Sequence, residues 1–127
     1  MIVGIGVDMV DSRRIAKSIE RFGDRFLSRI FTDAEQAQAA GRADQTLYFA
    51  KRFAAKEAFS KALGTGIGRV VSFQDLTVRS NENGKPYFMP SEKLRLYLKE
   101  KGIQQGHLSI SDESQNALAF VVLESED

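Results

Sequence analysis

The sequence predicts a single α+β domain over residues 1–127, with helices packed on a mostly antiparallel sheet. Three observations lead there. The two ends of the chain carry period-two apolar patterns, the middle carries apolar residues every three or four positions, and no repeat or low-complexity linker divides them. A chain of 127 residues, 43% hydrophobic and 28% charged, is also the right size for one buried core.

The opening stretch MIVGIGVDMVD reads as a strand, which points successive side chains to opposite faces. Odd positions Met1, Val3, Ile5, Val7 and Met9 are all apolar, while Gly4, Gly6 and Asp8 fall on the other face between Ile2 and Val10. Glycine weakens a strand unless something must approach the backbone closely, so the pair predicts a shallow groove leading to a carboxylate. From Ser12 the spacing becomes helical, with Ile15, Ile19, Phe22 and Phe26 on one side and Asp11 or Ser12 as the cap. Thr32-Asp33-Ala34-Glu35 matches a capping box and opens a second helix that should stop near Gly41. A third helix runs from about Thr46 to Leu63 and is closed by Gly64.

Beyond it the composition turns β-like. Val70, Val71, Phe73, Leu76 and Val78, the turn Asn81-Glu82-Asn83-Gly84, and then Tyr87 and Phe88 predict a hairpin. Pro90-Ser91 introduces a helix of about ten residues with Leu94, Tyr97 and Leu98, ended by Gly102. Strands from His107 to Ser111 and from Ala117 to Leu123 complete the chain, followed by an acidic tail, Glu124-Ser125-Glu126-Asp127, expected to fray.

Composition excludes several kinds of chemistry. With no cysteine and one histidine, disulfides, thiol catalysis and zinc sites of the usual kinds drop out, and any metal must rely on oxygen ligands. No apolar run approaches the ~20 residues needed to cross a bilayer, and no signal-like N-terminus is present, which predicts a soluble cytoplasmic protein without stable membrane insertion. The formal net charge is +1, but its distribution is uneven. Arg13, Arg14, Lys17, Arg21, Arg25 and Arg29 stand against only Glu20 and Asp24 in the first helical segment.

The third helix carries the most informative pattern. At about 100° per residue, Arg52, Lys56 and Ser60 form one polar arc, the expected solvent face, while Glu57 and Lys61 fall beside Ala50, Phe53 and Ala54 on the face expected to pack. The plain reading is an i,i+4 Glu-Lys pair worth ~0.2–0.5 kcal/mol. The functional reading is that Glu57 meets Asp8 across the groove. Two carboxylates are a poor cage for Ca²⁺ but suit Mg²⁺, which keeps several waters and completes its octahedron with substrate phosphates. Lys61, one turn on, would then face a phosphate or a leaving oxygen.

The loop GTGIG, residues 64–68, follows a helix C-terminus, where the macrodipole repels anions, and lacks phosphate-loop spacing. A helix cap with a tight turn is favoured over close approach of a ligand. In the strand around His107, Leu108 and Ile110 point inward and His107, Ser109 and Ser111 outward; a Ser-His-Asp triad has no nucleophile elbow here. Arg14, Arg21 and Arg25 form one stripe if the helix survives Gly23. That stripe is either a solvated face or a docking surface, and a sequence pI of about 8.0 without aromatics on the stripe disfavours nucleic acid.

Taken together, GIGVDMVDSRRI, RFAAKEAFSKALGTGIG, NGKPYF, HLSISDE and ALAFVV resemble the bacterial holo-acyl-carrier-protein synthases, which are 4′-phosphopantetheinyl transferases. The resemblance covers nearly the whole chain. It implies the 4′-phosphopantetheinyl transferase fold and transfer of the 4′-phosphopantetheine arm of coenzyme A to a serine of apo acyl carrier protein, releasing adenosine 3′,5′-bisphosphate, in support of fatty acid biosynthesis. It implies Mg²⁺ on Asp8 and Glu57, and Lys61 beside the phosphates as a third catalytic group. Coenzyme A is implied to lie near Lys61, Gly64, Gly66, Gly68, Lys85, Pro86 and His107. It further implies a homotrimer with sites between subunits, and docking of the acidic carrier protein on Arg14, Arg21 and Arg25. Many members read Ser-His where this chain has Ser111-Asp112. Two competing readings are a Mg²⁺-dependent hydrolase of nucleotide pyrophosphates, which needs no basic helix, and a non-catalytic adaptor for acidic proteins, which needs no Asp8.

Overall fold

The computed structural model describes residues 1–126; Asp127, the last residue of the acidic tail, lies outside them. The order is β1 (Ile2–Asp11), α1 (Ser12–Phe22), α2 (Asp24–Ile30), α3 (Asp33–Ala39), α4 (Gln45–Leu63), a 3-10 turn (Phe73–Asp75), β2 (Leu76–Ser80), β3 (Pro86–Pro90), α5 (Glu92–Glu100), β4 (Ile103–Glu113) and β5 (Asn116–Ser125). β1, β5 and β4 form an antiparallel sheet in that spatial order, and β2 and β3 pair as a separate hairpin. The α+β architecture is the expected one.

Helix α4 lies across the three-stranded sheet. Ala117, Ala119, Val121 and Leu123 of β5 and Ala54, Ala55, Ala58 and Ala62 of α4 are buried, small side chains that let helix and sheet approach closely. The glycines of β1 are part of the same contact. A Cβ at Gly4 would lie 1.8 Å from the Ala62 carbonyl oxygen, and one at Gly6 would lie 1.9 Å from that of Ala58. The expected ligand groove along the glycines is therefore filled by the protein's own helix, and only its end, at Asp8, stays open.

The other face of β1 is uncovered. Ile5 is 58% exposed, Met9 64% and Phe120 of β5 44%, and the register sets Ile5 opposite Val122, Val7 opposite Phe120 and Met9 opposite Leu118. These cross-strand pairs make one continuous apolar patch.

The polar arc of α4 is inverted relative to expectation. Arg52, Lys56 and Ser60 are buried, whereas Glu57 is partly buried and Lys61 exposed. The reason is a second cover: α3, the end of α2 and the 3-10 turn enclose that side of the helix. Lys56 Nζ, with no exposed side-chain surface, donates to the carbonyls of Ile30 at 2.8 Å and Phe73 at 2.9 Å and to Glu35 Oε1 at 2.6 Å. Glu35 in turn accepts from the backbone N–H groups of Thr32 and Val78 at 2.9 and 2.7 Å. Every strong group of this buried pair is satisfied, which is the condition for an ion pair to be tolerated in a core.

Three boundaries also differ. The first helix breaks at Gly23, whose φ of 55° and ψ of −133° only glycine adopts freely, so Arg25 belongs to α2 and the stripe with Arg14 and Arg21 is interrupted. Val70 and Val71 precede the hairpin rather than joining it, because the 3-10 turn at Phe73–Asp75 redirects the chain. Glu124 and Ser125 of the tail are held in β5, the Ser125 N–H donating to the Met1 carbonyl at 2.7 Å. Among the described residues, no helix is long and apolar enough to cross a membrane.

Candidate active site

Asp8 follows the two glycines on the α4 side of β1. Its side chain is 16% exposed, and Lys61 Nζ donates to Asp8 Oδ1 at 3.0 Å and to the Val7 carbonyl at 3.2 Å. Glu57 sits one turn before Lys61 on α4. Burial first, and then the negative charge of Asp8, push the Glu57 carboxyl above its ordinary range, opposed by the Lys61 ammonium. The structure therefore brings Asp8, Glu57 and Lys61 together from a strand and a helix.

Two carboxylates here share a single ammonium, and the raised Glu57 carboxyl marks a place short of positive charge. A divalent cation fits that need. Among the described residues no cluster of three or more acidic or histidine side chains surrounds it, so water and phosphate oxygens would complete a magnesium shell, as that ion favours.

The loop after α4 is the cap and turn favoured by the sequence. Gly64 adopts the left-handed C-cap conformation, its N–H donating to Ser60 and Lys61 carbonyls; the Gly66 N–H donates to Ser60 and that of Gly68 to Val71. A side chain on Gly64, Gly66 or Gly68 would meet nothing within 4 Å, so the loop leaves an open approach beside Lys61.

Other expected residues are not brought to this cluster. Gly84 and Pro86 line a groove of about 610 Å³ beside the N-terminal half of α4, walled by Arg42, Tyr48, Lys51 and Arg52. Tyr48 and Lys61 are thirteen positions apart, roughly 20 Å along the helix. Lys85 belongs to the turn at that groove, where Asn81 Oδ1 accepts its N–H at 2.9 Å. His107 lies in one cross-strand row with Val122 and Ile5, on the sheet face turned away from α4. Its Nε2 stands 3.0 Å from Glu124 Oε1, and that hydrogen bond holds Glu124 below the usual carboxylate range. Asp112 pairs with Lys51 at 2.8 Å, not with the histidine, so no Ser-His-Asp relay forms.

The groove itself escaped sequence reading. The helical angle of Arg52 points it to solvent; in the fold its Nε and the Tyr48 hydroxyl are buried without a hydrogen-bond partner, and the Arg52 guanidinium lies 4.4 Å from the Tyr48 ring centroid. The basic segment also holds more than its stripe. Between α1, α2 and α4 lies a hollow of about 460 Å³ with Phe22, Phe26, Phe53 and Phe73 as walls and Arg25 and Arg29 at its rim. Arg21 lies 5.1 Å from the Phe22 ring centroid, and Arg14 is exposed one helical turn or more away.

With this geometry in place, comparison with known proteins is specific. A family model described as the 4′-phosphopantetheinyl transferase superfamily matches residues 4–121. The holo-[acyl-carrier-protein] synthase of Ruthia magnifica is 57% identical over 127 residues, covering 100% of both chains. The crystal structure of holo-[acyl-carrier-protein] synthase from Neisseria meningitidis superposes with a TM-score of 0.95 at 45% identity, covering 98% of this chain and 100% of that one. The Bacillus anthracis holo-(acyl-carrier-protein) synthase, solved in complex with CoA (3′,5′-ADP), gives 0.83 at 44% identity and covers 99% of each chain.

Proposed function

The chain belongs to the 4′-phosphopantetheinyl transferase superfamily, and from that membership we propose that it acts in the cytoplasm as a holo-acyl-carrier-protein synthase. It transfers the 4′-phosphopantetheine arm of coenzyme A to a serine hydroxyl of apo acyl carrier protein, releases adenosine 3′,5′-bisphosphate, and supports fatty acid biosynthesis. The observation that carries this reading is the convergence of Asp8, Glu57 and Lys61 at the open end of the β1–α4 seam.

Asp8 and Glu57 would hold Mg²⁺, which when bound would supply positive charge against the pyrophosphate. Lys61 is the cation of the site. In its absence of substrate it neutralises Asp8; with coenzyme A bound it turns to the phosphates and offsets charge on the departing bisphosphate. The serine oxygen forms a bond to the β-phosphorus as the bond from that phosphorus to the bisphosphate oxygen breaks. Glu57, or a water on the bound Mg²⁺, would take the serine proton.

Coenzyme A spans two subunits of a homotrimer. Gly64, Gly66 and Gly68 border it on the Lys61 side, while Lys85, Pro86 and His107 reach it from the neighbour. Two features support this assembly: the expected coenzyme residues lie in separate places on one chain, and a continuous apolar sheet face stands uncovered. An exposed patch of that kind is a typical subunit interface. The acidic carrier protein docks on Arg14, Arg21 and Arg25.

The deciding experiment is incubation of the protein with apo acyl carrier protein, coenzyme A and Mg²⁺, followed by mass spectrometry of the carrier. The expected result is addition of one phosphopantetheine arm, lost on Asp8→Ala. Unmodified carrier with hydrolysed coenzyme would refute the transferase reading.

A further inference from the structure

Helix α2 is too short to sustain itself. It spans seven residues, its N-cap is Gly23, and it has no side-chain cap there; isolated helices well above this length are marginal in water. Its C-terminal end is held instead by side chains from three other elements. Gln74, in the 3-10 turn, donates its Nε2 to the carbonyls of Ser28 at 2.7 Å and Phe31 at 2.8 Å. Gln36 of α3 donates to the Phe31 carbonyl at 3.1 Å and approaches that of Leu27 at 3.5 Å. Lys56 of α4 donates to that of Ile30 at 2.8 Å. These carbonyls belong to the end of a helix, where the chain itself offers few donors.

The same helix carries Arg25, Phe26 and Arg29, which with Phe22 form one wall of the arginine-rimmed hollow; Phe53 and Phe73 form the other. Gln74 and Lys56 each tie the two walls together, Gln74 from the residue after Phe73 and Lys56 by also holding the Phe73 carbonyl at 2.9 Å. We propose that Gln74 is a positioning residue for carrier-protein recognition: its two hydrogen bonds fix α2, and so the aim of Arg25 and Arg29, before the carrier arrives. A surface ordered in advance loses less entropy on binding. This inference rests on the reading that the α1–α2 face docks the carrier. Gln74 is itself exposed and does not line the groove, so it is open to replacement without dismantling the core.

The test uses the full chain with Gln74→Met, which keeps length and neutrality but removes the donor. The expected result is a rise in the KM for apo carrier protein of about three- to tenfold, as for one or two lost hydrogen bonds, with kcat and the KM for coenzyme A within about twofold of the parent. Backbone hydrogen exchange of residues 24–31 should quicken in parallel, and Gln74→Glu should behave like the methionine variant or worse. Equal rises in both KM values, or a lowered melting temperature with both unchanged, would reduce Gln74 to a structural role and overturn the inference. Arg25→Glu separates the two levels. If it raises the carrier KM while Gln74→Met does not, the docking face stands and only the positioning role falls; if Arg25→Glu has no effect, the docking reading fails and takes this inference with it.

Discussion

The side chain of Glu57 carries a testable imbalance. Its carboxyl is pushed upward by burial and by Asp8, so in the metal-free protein its ionisation is less favourable folded than unfolded. A raised carboxyl contributes stability that is present at acid pH and lost as pH climbs through the folded value. Glu57→Gln should therefore raise the melting temperature of the metal-free protein at pH 7 to 8 by a degree or so, make no difference near pH 4, and abolish any stabilisation by added Mg²⁺; thermal melts with and without the ion check all three. Lys56 carries the opposite lesson. Removing it by Lys56→Met leaves the enclosed Glu35 carboxyl and the Ile30 and Phe73 carbonyls without their ammonium partner and should cost about 3–5 kcal/mol. Glu35→Gln/Lys56→Met, with no stranded charge, should cost less than Lys56→Met alone in urea unfolding, despite being the larger change.

At the level of elements, the closest seam is between β1 and α4. Gly6→Ala would drive a methyl group to 1.9 Å from a helix carbonyl that cannot rotate away, so a loss of about 3 kcal/mol or more is expected from denaturant melts, well beyond ordinary overpacking. This seam also shows where a single sequence is legible. Caps at Asp11, Thr32, Ser91 and Gly64 are local devices, so these helix ends could be read directly. Parity gave the faces of β1 and β4 for the same reason. The identity of what covers each face is not local. Glycines on a strand signal close approach without saying whether ligand or helix approaches, and a lysine at a solvent angle is indistinguishable from Lys56 until α3 and the 3-10 turn are folded over it. Asp8 and Glu57 were legible because glycine spacing and an odd charge on an apolar arc each pointed to one spot; the groove at Tyr48 and Arg52 was not, because its walls come from four separate segments.

For the whole molecule, the proposed sharing of coenzyme A between neighbouring subunits, with Asp8 on one and His107 on the other, predicts complementation. Asp8→Ala and His107→Ala, each impaired alone, should regain activity when co-expressed or refolded together, since a mixed assembly contains some junctions with both residues intact; assays on the separate and mixed proteins decide it. No recovery would mean that each chain works with its own histidine. The uncovered apolar patch running from Ile5 to Phe120 has a kinetic corollary. If another copy supplies half of each catalytic junction, as proposed, initial velocity should climb faster than linearly with enzyme at high dilution, approach strict proportionality once the subunits are mostly associated, and show a lag when a concentrated stock is assembled afresh from dilute chains.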